Sequence, residues 1–154
     1  MSKNKIHIVN RKARFEFEIL EEFTAGIVLR GTEIKSIRDG KVNLTEAFGT
    51  VRDGEVFIRQ MSIQEYSHGG YTNHEVHRER KLLLNTSEIR KIHKKLQEKG
   101  HTLVPLELFI NEKGLAKLKI AIARGKRQFD KRQSLKHKDD RRQIDRALKG
   151  RQRS

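Results

Sequence analysis

Apolar residues recur along this chain first at every second position and then at every third or fourth, and the changes between these spacings predict its elements. Phe15-Glu16-Phe17-Glu18-Ile19 alternates apolar and polar residues, the pattern of a half-buried strand. Phe23 to Leu29 reads as a second strand, with the small pair Ala25-Gly26 predicting a bulge or sharp bend. A short helix opens at Gly31-Thr32, with Thr32 placed to cap it and Ile34 and Ile37 on one face. Asp39-Gly40 closes it. Ala47–Arg52 and Glu55–Gln64 flank Asp53-Gly54, a two-residue hairpin signal. Tyr66 to Arg78 is polar, rich in Gly and His and without period, which predicts a mobile loop.

Beyond it, Lys81–Leu84 reads as a short strand. Asn85 caps the clearest helix: Glu88 completes a capping-box pair, Ile89, Ile92 and Leu96 form an apolar stripe, and Gly100 ends the helix. Thr102–Asn111 and Leu115–Ala123 make a second hairpin across Glu112-Lys113-Gly114. Many short antiparallel strands in one domain predict a mainly β fold, a closed or nearly closed OB-like β barrel flanked by two or three helices.

Composition adds a partner class. The 154 residues carry 35 Lys and Arg against 20 Asp and Glu, a formal charge of +15. No run approaches the ~20 apolar residues of a membrane-spanning helix. The absence of cysteine excludes disulfides and thiol nucleophiles. Met1 to Arg14 is basic with no apolar stretch behind it, so no secretory signal is read there and a cytoplasmic, non-membrane protein is expected. The charge is uneven: residues 124–154 hold 13 of the cations and only four acids. Their apolar residues are Phe129, Leu135, Ile144, Ala147 and Leu148, too few to offset an ordering entropy of roughly 1–2 kcal/mol per residue. The expected organisation is a barrel domain over 1–123, its first 13 residues flexible, and a basic tail over 124–154. That tail is expected to be disordered when free and to become helical through Ile144, Ala147 and Leu148 inside a polyanionic cleft.

Catalytic signatures are missing. There is no phosphate-binding glycine loop and no nucleophile elbow. His68, His74 and His77, with Glu75 among them, raise the alternative of a metal-dependent nuclease, but without a rigid frame they read as exposed loop histidines. No catalysis, metal or cofactor is expected. The excess of cations points to a polyanion. Lys35, Arg38 and Lys41 on and after the first helix, and Arg78, Arg80 and Lys81 ahead of a strand, form a phosphate-binding patch if they share one side. Arg90, Lys91, Lys94, Lys95 and Lys99 interleave with Glu88 and Glu98 as ordinary helix solvation does. Phe129 stands amid Arg124, Lys126, Arg127, Lys131 and Arg132, an arrangement suited to stacking on an unpaired base. A constitutive ribosomal or general RNA-binding barrel accounts for these features too.

Four blocks in order narrow the choice: Gly31-Thr32-Glu33-Ile34-Lys35-Ser36-Ile37-Arg38, Gly40-Lys41-Val42-Asn43-Leu44, Arg80-Lys81-Leu82-Leu83-Leu84-Asn85, and Gly125-Lys126-Arg127 followed by Asp130-Lys131-Arg132. From about Asn10 to Leu148 the chain closely resembles the SsrA-binding protein family, the partner of transfer-messenger RNA in bacterial ribosome rescue. The resemblance implies an OB-like barrel that binds the tRNA-like domain of that RNA and delivers it to stalled ribosomes for trans-translation. RNA contacts are then carried onto Gly31, Lys35, Ser36, Arg38, Lys41, Asn43, Arg80, Lys81, Leu83 and Asn85. Contacts with the small-subunit decoding region and the empty messenger channel fall to Gly125, Lys126, Arg127, Phe129, Asp130, Lys131 and Arg132. Elongation factor Tu is a further implied partner on the same RNA, and the protein is expected to be a monomer. Thr24 stands where members often carry glutamate, a proline common before Arg80-Lys81 is absent, and Phe129 replaces a histidine or tyrosine.

Overall fold

The computed structural model describes residues 6–126. Its elements in order are β1 (His7–Val9), α1 (Arg11–Glu16), β2 (Phe17–Ile27), α2 (Gly31–Arg38), β3 (Val42–Asn43), β4 (Phe48–Arg52), β5 (Glu55–Arg59), β6 (Ser62–Ile63), β7 (Arg80–Leu83), α3 (Thr86–Leu96), β8 (His101–Ile110) and β9 (Ala116–Gly125). Seven strands run β1-β8-β4-β5-β7-β2-β9, and β9 pairs back onto β8 along its length. The sheet therefore curls into the expected OB-like barrel. Its weakest seam is a single bridge, Gly49↔Leu103, between β4 and β8. A Cβ at Gly49 would stand 2.3 Å from Leu103 Cδ2, so only glycine lets this seam come together. β3 and β6 form a separate two-stranded ribbon.

Ile37 from α2 and Ile92 from α3 are fully buried in one apolar core with Ile58, Leu82, Leu103, Leu118 and Ile120. A smaller cluster lies beneath α1, where Ala13 meets Val104, Leu106, Ala121 and Ala123. β8 and β9 are thus covered on both sides along part of their length, which is why Leu103 to Leu106 is buried without alternation.

Turn chemistry appears where expected. Asp53 and Gly54 both take positive φ, 53° and 73°, and join β4 to β5 in register. Asn85 Oδ1 accepts from the Glu88 N–H at 2.9 Å, and Glu88 Oε1 accepts from the Asn85 N–H at 3.1 Å. Replacing Asn85 by Ala is expected to lower stability by about 1 kcal/mol in denaturant titration, leaving the β sheet signal unchanged.

Several expectations are corrected. Residues 7–13 supply β1 and the first half of α1 in place of a flexible N-terminus, because β1 pairs with β8 and Asn10 Oδ1 caps α1 through the Ala13 N–H. Phe15 and Glu16 consequently belong to a helix, and the two predicted strands merge into β2. The irregularity in β2 lies between Ile19 and Glu21, while Ala25-Gly26 pairs regularly. Gln60, at φ 60°, breaks the predicted strand 55–64 into β5 and β6. The body extends beyond Ala123: β9 runs to Gly125, and the Lys126 N–H donates to the Glu16 carbonyl at 3.0 Å.

Candidate RNA-binding interface

The helix carrying Lys35 and Arg38, two of the predicted phosphate ligands, is pinned by a buried acid. Glu33 sits at the third position of α2 and is fully buried. Its Oε1 accepts from the Arg30 N–H at 2.8 Å and from Arg78 Nη2 at 2.5 Å. Its Oε2 accepts from Arg80 Nε at 2.5 Å. Burial pushes the Glu33 carboxyl up, but hydrogen bonds from Arg78, the Arg30 N–H and Arg80 outweigh it and hold the group below the usual carboxylate range. Burial likewise lowers the Arg80 guanidinium, against the opposing pull of Glu33.

Arg80 therefore cannot grip RNA as predicted. It is fully buried, and its other nitrogens donate to the carbonyls of Met61, Val76 and Glu75 at 2.6, 3.1 and 3.4 Å. A cation between two basic neighbours reads as surface, yet this one is a strut from β7 to α2. Ser36 is also displaced from the predicted surface, since it shares the inward face of α2 with Glu33 and Ile37.

A second pin comes from the predicted loop. His74 is 1% exposed; its Nδ1 lies 2.8 Å from Thr32 Oγ1 and its Nε2 2.9 Å from the Ile63 carbonyl. Thr32 thus binds this histidine instead of capping its helix. The loop is tied down rather than mobile, and only His68 and His77 of its three histidines are exposed. Among the described residues no three His, Asp or Glu side chains converge as a metal site would require.

With the inner groups fixed, the outer face of α2, the turn after it and β3 present Gly31, Lys35, Arg38, Lys41 and Asn43 to solvent. Lys35, Arg38 and Lys41 have no carboxylate within ion-pair distance among the described residues. Other basic groups do: Lys12 pairs with Glu46, Arg52 with Glu79 and Lys91 with Glu21. Lys81 is intermediate, its Nζ 3.6 Å from Glu55 Oε2.

β7 and the start of α3 add a different surface. Leu83 is 53% exposed and lies opposite Gly26 on β2; Val28, also exposed, donates its N–H to the Lys81 carbonyl at 3.0 Å. Asn85 is exposed; its Oδ1 is engaged by the cap and by Ser87 Oγ, which leaves its amide N–H groups for a partner. The structure thus brings the predicted residues into two sets, Lys35, Arg38, Lys41 and Asn43 on one side and Lys81, Leu83 and Asn85 on the other, joined through Arg80–Glu33. Sequence reasoning placed Arg78 in the phosphate-binding patch and gave Glu33 no role; an acid in the first turn of a helix was the available signal for their pairing. Gly125 ends β9, and Lys126 follows it against Glu16. Arg127, Phe129, Asp130, Lys131 and Arg132 lie outside the described residues.

The model of the SmpB protein family matches residues 7–150. The chain belongs to that family. It is 55% identical over 146 residues to the SsrA-binding protein of Parabacteroides distasonis, covering 95% of both chains. It is 53% identical to that of Phocaeicola vulgatus, covering 97% of this chain and 99% of the other. The fold matches a solved structure described as "tmRNA-SmpB: a journey to the center of the bacterial ribosome", with TM-score 0.69 and 44% identity over 84% of this chain and 94% of that one. The SmpB match continues to residue 150, well past the last described residue, so the family's pattern includes most of the basic terminus.

Proposed function

We propose that this chain binds the tRNA-like domain of transfer-messenger RNA and delivers it to stalled ribosomes for trans-translation. The observation that carries the reading is the row of exposed Lys35, Arg38 and Lys41, unneutralised on, and just after, a helix that Glu33 and His74 lock in place. Double-helical RNA hides its base edges, so a rigid array of cations reads it through the positions of its phosphates. Gly31 and Asn43 flank that array, while Lys81, Leu83 and Asn85 offer one cation, one apolar contact and one amide donor. Arg80 and Ser36 support the surface from behind. The likeness to relatives named SsrA-binding proteins and to a tmRNA–SmpB structure supports the same partner.

In this reading the chain catalyses nothing itself; it acts as a monomer in the bacterial cytoplasm and shares its RNA with elongation factor Tu. Residues 125–132 and the terminus beyond them probe the messenger channel of the small subunit. Among the described residues no helix is long and apolar enough to cross a membrane.

Protein drawn from its native cell with its RNA tests the proposal. One discrete structured RNA of transfer-messenger type is expected, with ribosomes substoichiometric. A heterogeneous RNA population, or stoichiometric ribosomes in its place, would reject it in favour of a general RNA-binding barrel or a constitutive ribosomal protein respectively.

A further inference from the structure

The segment between β6 and β7 builds an ordered frame around two rings. Asn73 Oδ1 accepts from the Tyr66 N–H at 3.1 Å, and Asn73 Nδ2 donates to the Tyr66 carbonyl at 2.6 Å. The Gly69 N–H donates to that same carbonyl at 3.0 Å. A Cβ on Gly69 would lie 2.5 Å from Asn73 Nδ2, so the clamp closes only over a glycine. Buried His74, the next residue, ties the frame to α2 and β6. Tyr66 is thereby held under Lys35, whose Nζ lies 5.3 Å from the ring centroid. His68 meets Tyr66 edge to face, with centroids 5.5 Å apart and planes at 80°.

In an edge-to-face pair the ring that supplies the edge keeps both its faces uncovered by the other. Tyr66 is half-buried and His68 exposed. Neither the Tyr66 hydroxyl nor a His68 ring nitrogen has a hydrogen-bond partner among the described residues. Two rings on the surface beside Lys35, Tyr66 held by its clamp and His68 set against it, with Lys41 bonded to this segment through the Gln64 N–H, have the composition of a nucleotide site: π surface, polar ring edges and cations.

We propose that Tyr66, His68 and Lys35 form a seat for one unpaired base of the bound RNA, with the rings stacking the base and the Lys35 ammonium meeting its phosphate. The seat rests on the RNA-binding reading above and assigns it a single-stranded contact apart from the helical phosphates. Such a contact distinguishes a folded RNA with an exposed base from plain duplex.

The test uses the full chain with transfer-messenger RNA carrying 2-aminopurine at one unpaired position of the tRNA-like domain at a time. With the natural protein, fluorescence at one position is expected to be quenched by stacking. In the double variant Tyr66→Ala/His68→Ala that quench should vanish, with affinity about tenfold weaker. The slope of log affinity on log salt should stay unchanged in that variant, because no phosphate contact is lost, whereas Lys35→Ala should flatten it by about 1. His68→Phe, which keeps a ring, should retain the quench. If the double variant melts without cooperativity, His68→Ala alone decides, since His68 is exposed. Unaltered affinity and unaltered fluorescence at every position in the alanine variants would overturn the seat. Failure of the natural chain to bind the RNA at all would overturn the RNA reading and the seat with it.

Discussion

Replacing Glu33 by Ala or by Gln is expected to cost about 3–5 kcal/mol of folding stability and to lower the melting temperature by about 10–20 °C. Two guanidiniums share this one carboxylate, and that of Arg80 is fully buried. Without the acid, Arg80 keeps its carbonyl bonds to Met61, Val76 and Glu75 but loses its one salt-bridge partner among the described residues. Gln preserves the volume of Glu33 and still leaves that charge uncompensated, so it should not rescue. Replacing both residues by apolar ones, Glu33→Met with Arg80→Met, removes buried charge and partner together and should destabilise less than Glu33→Met alone. Urea unfolding of the four variants beside the natural protein supplies the comparison; a Glu33→Gln protein as stable as the natural one would remove the buried ion pair from the account of the fold.

The same pair sets a dependence on pH. Folding holds the Glu33 carboxyl below its unfolded value, so its contribution is fully present above the ordinary carboxylate range, near pH 4.3. It is lost as pH falls through the folded value. Glu107, held low chiefly by its hydrogen bond from His7, adds to the loss in the same direction. The stability gap between the natural chain and Glu33→Gln should therefore be widest near neutral pH and narrow in acid.

What was legible in the sequence was local. Asp53-Gly54 and Asn85-Thr86-Ser87-Glu88 announce a hairpin and a helix start because the groups that bond are within three residues of each other. The barrel followed from counting such turns. What was not legible depends on distant partners. Asn10 sets the N-terminal helix partly by donating to the carbonyls of Leu44 and Pro105, 34 and 95 residues away. Arg80 looks like one more surface cation until α2 folds over it with Glu33, 47 residues earlier in the chain. His74 reads as a loop residue until Thr32 and the Ile63 carbonyl enclose it. The candidate site was legible to the same degree: its basic character shows in the composition, but which cations stay unneutralised is decided by cross-strand neighbours. Lys35, Arg38 and Lys41 survive that sorting, and Arg80 does not.

A chain ending after Lys126 is expected to fold and to bind transfer-messenger RNA within about threefold of the full protein, yet to leave peptide tagging on stalled ribosomes at the level seen with no protein. The cut spares the anchors that complete the barrel: the Arg124–Glu18 ion pair, the end of β9 at Gly125, and the bond from the Lys126 N–H to Glu16. It removes Arg127, Phe129, Asp130, Lys131 and Arg132 together with a terminus dominated by cations. Our reading separates the two tasks: α2 and β7 hold the RNA, and the removed residues test whether the messenger channel is vacant. A channel filled by intact messenger leaves them no room, so discrimination follows from steric competition and needs no proofreading chemistry. Phe129→Ala in the full chain should reproduce part of the tagging defect, because it deletes a stacking surface without changing charge. Equal tagging by the shortened and full proteins would take the terminus out of the mechanism, and a matching loss of RNA affinity on truncation would place its role in RNA capture instead.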